Sequence, residues 1–144
     1  MAKARSKAYT EGLRIRRRWL GRAYVDKAFR EADDFTIDLQ HFVTEHGWGA
    51  SWARGVLPLK TRAFMNLAMI SALNRPHELE LHLRAAIRNG MSRKEIKEAF
   101  LHVAVYCGAP AALDSFRIAK KIFGESERLR PAGARASSSP RAAR

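Results

Sequence analysis

Cysteine is nearly absent from this chain: Cys107 is the only one in 144 residues. A single thiol excludes an intrachain disulfide and fits a reducing compartment, so a cytoplasmic protein is expected. Long apolar runs are also missing. Nothing approaches the roughly 18 residues that read as a membrane span, and no membrane partner is expected. The opening MAKARSKAYTEG is basic but has no apolar segment of the kind a secretory signal carries. Acidic residues are scarce, 14 against 27 Lys and Arg, giving a net charge of +13. No HExxH, cysteine cluster or glycine-rich phosphate loop occurs, so neither a metal nor a phosphate cradle is expected.

The charge excess raises the question of a nucleic-acid partner, and its location argues against one. Residues 1–30 carry +8 and residues 125–144 carry +3, whereas residues 31–124 carry only +2. A basic face built into a fold is the better sign of nucleic-acid recognition, and here the body is close to neutral. The stretch IRRRWLGR is read as a solvated helix face or a contact between subunits.

What is present is helix after helix. The hydrophobic content of 47% supplies a core for one domain. Residues 9–30 are basic and amphipathic, with a break near Gly21. A second helix starts after Asp33 or Asp34 and ends at Gly47. Residues 47–59, GWGASWARGVLPL, read as a loop. Its Trp48 and Trp52 either plug the domain or wall a pocket, and the two readings are compatible. Residues 60–73 are apolar nearly all round, as in a central or intersubunit helix. Pro76 opens the next helix and Gly90 closes it. Ser92 and Glu95 form a capping box for a helix reaching Tyr106. Pro110 starts a last helix ending at Gly124. The expected organisation is a flexible basic segment over 1–8, an all-α helical domain over 9–124, and a disordered basic tail over 125–144.

Chemistry concentrates in PHELELHLRAAIRNG. At about 100° per residue, Leu79, Leu83, Ala86 and Ile87 form an apolar stripe with Glu78 and His82 along its edge. A carboxylate one turn from an imidazole can orient it and raise its pKa, which suits a general acid. Spacing alone equally allows a packed structural histidine. The next helix repeats the pattern with Glu98, His102 and Tyr106, where Glu98 is either catalytic or a tether between helices. Cys107 reads as a small packed residue.

The run TRAFMNLAMISALNRPHELELHLRAAIRNGMSRKEIKEAFLHVAVYCGAPAALDSFRIAKKIF resembles the carboxymuconolactone decarboxylase family. RRRWLGRAYVDKAF and HGWGASWARGVL resemble the N-terminal part of its members acting on 4-carboxymuconolactone. The resemblance implies an all-α bundle of the alkylhydroperoxidase-like type, assembled as a homotrimer or homohexamer. Peroxide-reducing relatives carry Cys-x-x-Cys-x-x-x-His. With that histidine aligned on His82, the cysteine positions fall on Arg75 and Glu78, so dithiol peroxidase activity is excluded. The implied activity is conversion of 4-carboxymuconolactone, a small dicarboxylate lactone, to 3-oxoadipate enol-lactone and CO₂ in aromatic catabolism, with no cofactor. Another small carboxylate or lactone substrate is the alternative, followed by a non-enzymatic binding protein using its basic ends. For the implied reaction, Arg75 and Arg62 are assigned to substrate carboxylates, although an ion pair serves Arg62 equally well. His82, oriented by Glu78, is the proton donor or the partner of the oxyanion. Glu98, His102 and Tyr106 complete a polar wall, and Trp48 and Trp52 exclude water.

Overall fold

Gly21 sets the first corner. Helix α1 (Lys7–Leu20) stops there because Gly21 takes φ 95°, a conformation open to glycine but strained for other residues, and α2 (Arg22–Arg30) leaves in a new direction. The structure is a computed structural model and describes residues 5–129. The expectations for residues 1–4 and 130–144, including most of the basic tail, lie outside the described residues. The fold continues through α3 (Ile37–Phe42), α4 (Leu59–Ala72), α5 (Pro76–Arg88), α6 (Arg93–Cys107) and α7 (Ala109–Leu129). The described residues contain no strand, in agreement with an all-α reading. Among them no helix is long and apolar enough to cross a membrane.

Local signals account for most boundaries. Ser6 caps α1 by accepting the Tyr9 N–H, Pro76 stands in the first turn of α5, and Ser92 and Glu95 form the complete capping box of α6. Two boundaries differ from expectation. The helix over α3 does not end at Gly47: it widens into a π-helical turn, Val43–Gly49, closed by the Ala50 N–H donating to the Glu45 carbonyl five residues back. A short 3₁₀ turn, Trp52–Arg54, follows. Helix α7 runs through Gly124 to Leu129, since Ser126 Oγ returns a hydrogen bond to the Ile122 carbonyl and Arg84 ties Glu125 from α5.

Helices α4–α7 bury Leu67, Leu83, Phe100 and Ile122 against one another. Each such side chain contributes about 1.5–3 kcal/mol. Helix α1 packs across α5 and the π turn, adding Ile15, Trp19 and Leu20 to the core. Its contact with the π turn is backbone to backbone. A Cβ on Gly12 would lie 2.1 Å from the Thr44 carbonyl oxygen, and one on Gly49 would lie 2.1 Å from that of Ala8. The C-terminal end of α1 is held by Arg88 and Asn89, which both donate to the Trp19 carbonyl, at 2.6 and 3.0 Å. Helix α5 is thereby fixed relative to α1 and the π turn.

Candidate active site

The π turn and the 3₁₀ turn carry Trp48 and Trp52 to the face of α5 that bears His82. The indole of Trp48 lies nearly parallel to the imidazole, with ring centroids 6.3 Å apart and planes 11° from parallel. Trp52 stands 4.6 Å from Trp48 and 5.6 Å from Trp19, so the two loop aromatics join the core and wall a site at once. A cavity of about 330 Å³ opens beside them. His82, Glu78, Trp48, Trp52, Asn66 and Arg16 line it, together with Tyr24 and Gln40.

His82 is held by a residue the sequence reading passed over. Asn66, the one amide side chain in α4, places its nitrogen 3.1 Å from His82 Nδ1 and 3.4 Å from Nε2. The amide can donate to whichever of the two ring nitrogens carries no proton. Glu78 Oε2 lies 3.9 Å from Nε2, beyond a hydrogen bond, and its carboxylate is largely exposed. The expected upward pull on the imidazole is therefore reversed. Burial lowers the His82 pKa from 6.5 to about 4, because a screened carboxylate at that distance does not offset the loss of hydration. At pH 7 the resting imidazole is neutral.

Arg16 is the second residue missed. It is only 6% exposed, and its guanidinium donates to Thr44 Oγ1 at 2.9 Å and to Gln40 Oε1 at 2.7 Å. Its Nε has no hydrogen-bond partner among the described residues. Burial lowers its pKa, opposed by the nearby Tyr24, Tyr9 and Glu78. The signal lies in the helical phase. Tyr9, Gly12, Ile15, Trp19 and Leu20 are the buried positions of α1, and of the three consecutive arginines only Arg16 falls among them. Arg14 pairs with Glu11 and Arg17 with Asp26. The expected solvated face thus includes one inward cation.

The remaining assigned residues lie elsewhere in the chain. Arg75 precedes α5 beside Asn74, Pro76 and Asp114, in a separate small cleft. Arg62 donates to Ser51 Oγ at 3.3 Å and does not line the His82 cavity. Glu98, His102 and Tyr106 share the outward face of α6, where the rings of His102 and Tyr106 meet at 4.6 Å. Cys107, the last residue of α6, is exposed rather than packed. No group of three or more His, Cys, Asp or Glu side chains among the described residues is placed to hold a metal.

Fold and site together define a class: an all-α protein whose small cavity sets a buried imidazole and a buried guanidinium against an aromatic wall. Residues 38–121 match the carboxymuconolactone decarboxylase family, and the chain belongs to it. Over 115 residues it is 37% identical to a 4-carboxymuconolactone decarboxylase of Acinetobacter baylyi, covering 80% of this chain and 86% of the relative. It is also 39% identical over 117 residues to a nitrosuccinic acid decarboxylase of Metarhizium robertsii, covering 81% and 82%.

Proposed function

We propose that the protein decarboxylates 4-carboxymuconolactone to 3-oxoadipate enol-lactone. It is a carboxy-lyase, like the two decarboxylases it resembles. The observation that supports this substrate most directly is the desolvated His82 in a cavity sized for a small lactone. In the reaction the ring C–C bond to the carboxylate breaks and CO₂ leaves. The electron pair runs through the conjugated double bond to the lactone carbonyl, giving a dienolate. A proton then adds to the carbon next to that carbonyl. The lactone is its own electron sink, so the protein supplies charge placement and one proton.

His82 fits that proton role because of its burial. A neutral imidazole at rest takes up a proton when a dianion enters and restores the missing counter-charge. The imidazolium is then a strong acid, well matched to protonating carbon once CO₂ has gone. Asn66 holds the ring, and Trp48 and Trp52 keep water from the dienolate. Nitrosuccinic acid is a second candidate, favoured by the Metarhizium relative; a nitro group can accept the electron pair as the lactone does.

The same reading takes the protein as a homotrimer or homohexamer. Met65 and Met69 on α4 and Leu73 at its C-cap, with Leu101 and Val105 on α6, are large apolar side chains facing outward and support self-association. The test of the activity supplies purified protein with each candidate substrate and follows CO₂ and product. Faster turnover of 4-carboxymuconolactone is the expected result. Preference for nitrosuccinic acid would move the assignment to that substrate, and turnover of neither would overturn both.

A further inference from the structure

A buried charge is costly unless an opposite charge or strong hydrogen bonds compensate it. Arg16 is 6% exposed, yet the acceptors within hydrogen-bond distance of it are neutral: the side chain and carbonyl of Gln40 and the hydroxyl of Thr44. Among the described residues lining the cavity it is the one Lys or Arg. Gln40 and Thr44 fix the plane of the guanidinium, which is how a fork is set to meet a planar carboxylate. Glu78 also lines the cavity and its charge acts on Arg16, but its carboxylate is largely exposed and makes no hydrogen bond to the guanidinium. The surface beside His82 is aromatic, formed by Trp48 and Trp52.

We propose that Arg16 is the specificity-determining residue of this cavity, pairing with the carboxylate that the substrate keeps. The enzyme then takes dicarboxylates and expels the carboxylate lying away from Arg16. This assignment rests on the decarboxylase reading, and the chemistry fixes which carboxylate is meant. An ion pair with the departing group would stabilise the ground state and raise the barrier, because that charge disappears in the transition state. An ion pair with the retained group holds through the whole reaction and orients the scissile bond. A departing carboxylate against the tryptophans beside His82 instead gains by losing its charge.

The experiment compares 4-carboxymuconolactone with its analogue in which the side-chain carboxylate is a primary amide. Wild-type protein is expected to prefer the acid by about 10- to 100-fold in kcat/KM, the range of a charge-assisted hydrogen-bonded pair. The difference should lie mainly in KM. Arg16→Gln should abolish the preference, its kcat/KM for the acid falling to that for the amide. Arg16→Met removes the same charge at similar length and gives the same readout should the Gln variant not fold. A charge-neutral variant that keeps the preference for the acid overturns the proposal. If wild-type protein turns over neither compound, the decarboxylation reading has failed and Arg16 is judged by binding. Succinate should then change the fluorescence of Trp48 and Trp52 in wild-type protein at least ten-fold more tightly than in Arg16→Gln. Equal affinity, or no binding by either, overturns it.

Discussion

At the scale of the residue, His82 shows how burial overrides a neighbouring charge. Glu78 stands one helical turn away, yet the imidazole is drawn down to about 4 by desolvation. The folded protein thus refuses a proton that the unfolded chain, with an ordinary value of 6.5, accepts. Between those values the unfolded state binds more protons, so stability falls as pH drops from about 6.5 towards 4 and is unaffected above that window. The contribution of this one residue is at most on the order of 3 kcal/mol. His82→Gln does not titrate there, so urea melts at pH 7 and pH 4.5 should show a smaller loss for the variant than for wild type. An equal loss would place the pH response elsewhere. In turnover assays the same variant should lose about 10²–10⁴-fold in kcat, the usual contribution of a general acid. His82 was legible from its edge position in PHELELHLRAAIRNG and from the family resemblance. Its environment was not, because the Asn66 amide reaches it from 16 residues away and desolvation depends on tertiary packing.

At the scale of the element, the site depends on how α1 meets the π turn. Gly12 and Gly49 let the two backbones approach more closely than any side chain permits. Gly12→Ala would drive its methyl group into the Thr44 carbonyl, and backbone cannot yield as a flexible side chain does. The expected cost is upwards of about 3 kcal/mol in urea unfolding. Gly49→Ala meets the Ala8 carbonyl and should behave alike. Gly47 lies in the same turn, and a methyl group added there would meet nothing within 4 Å, so Gly47→Ala should leave stability unchanged or slightly higher. Equal effects at all three positions would refute the close-contact account. Caps and corners were readable because their causes are local: Gly21, Pro76 and the Ser92–Glu95 pair each act within one turn of the chain. The π turn was not readable. Gly47 carries a stop signal, but helical hydrogen bonding continues past it under the packing of α1. Arg16 was obscured in the same way, since composition registers a basic cluster and only helical phase separates the inward arginine from its neighbours.

At the scale of the whole molecule, the outward faces of α4 and α6 remain to be explained. Met65, Met69, Leu73, Leu101 and Val105 range from 45% to 76% exposed, and Tyr106 on α6 is 75% exposed. Surface substitutions at such positions cost a monomer little, within about 0.5 kcal/mol. They are costly only where a second copy covers them. Light scattering on the wild-type protein should therefore give a multiple of the 16.3 kDa chain mass. Leu101→Glu combined with Val105→Glu should shift that mass downward while helical content by circular dichroism is retained. A wild-type protein running at 16.3 kDa would refute the assembly. The dissociated variant also decides the place of Glu98, His102 and Tyr106, which share this face of α6 and lie away from the His82 cavity of their own chain. If they complete a neighbour's site, dissociation should lower kcat together with mass. If turnover per chain survives dissociation, catalysis resides in the single-chain cavity of His82, Asn66 and Arg16, and the α6 face serves assembly alone.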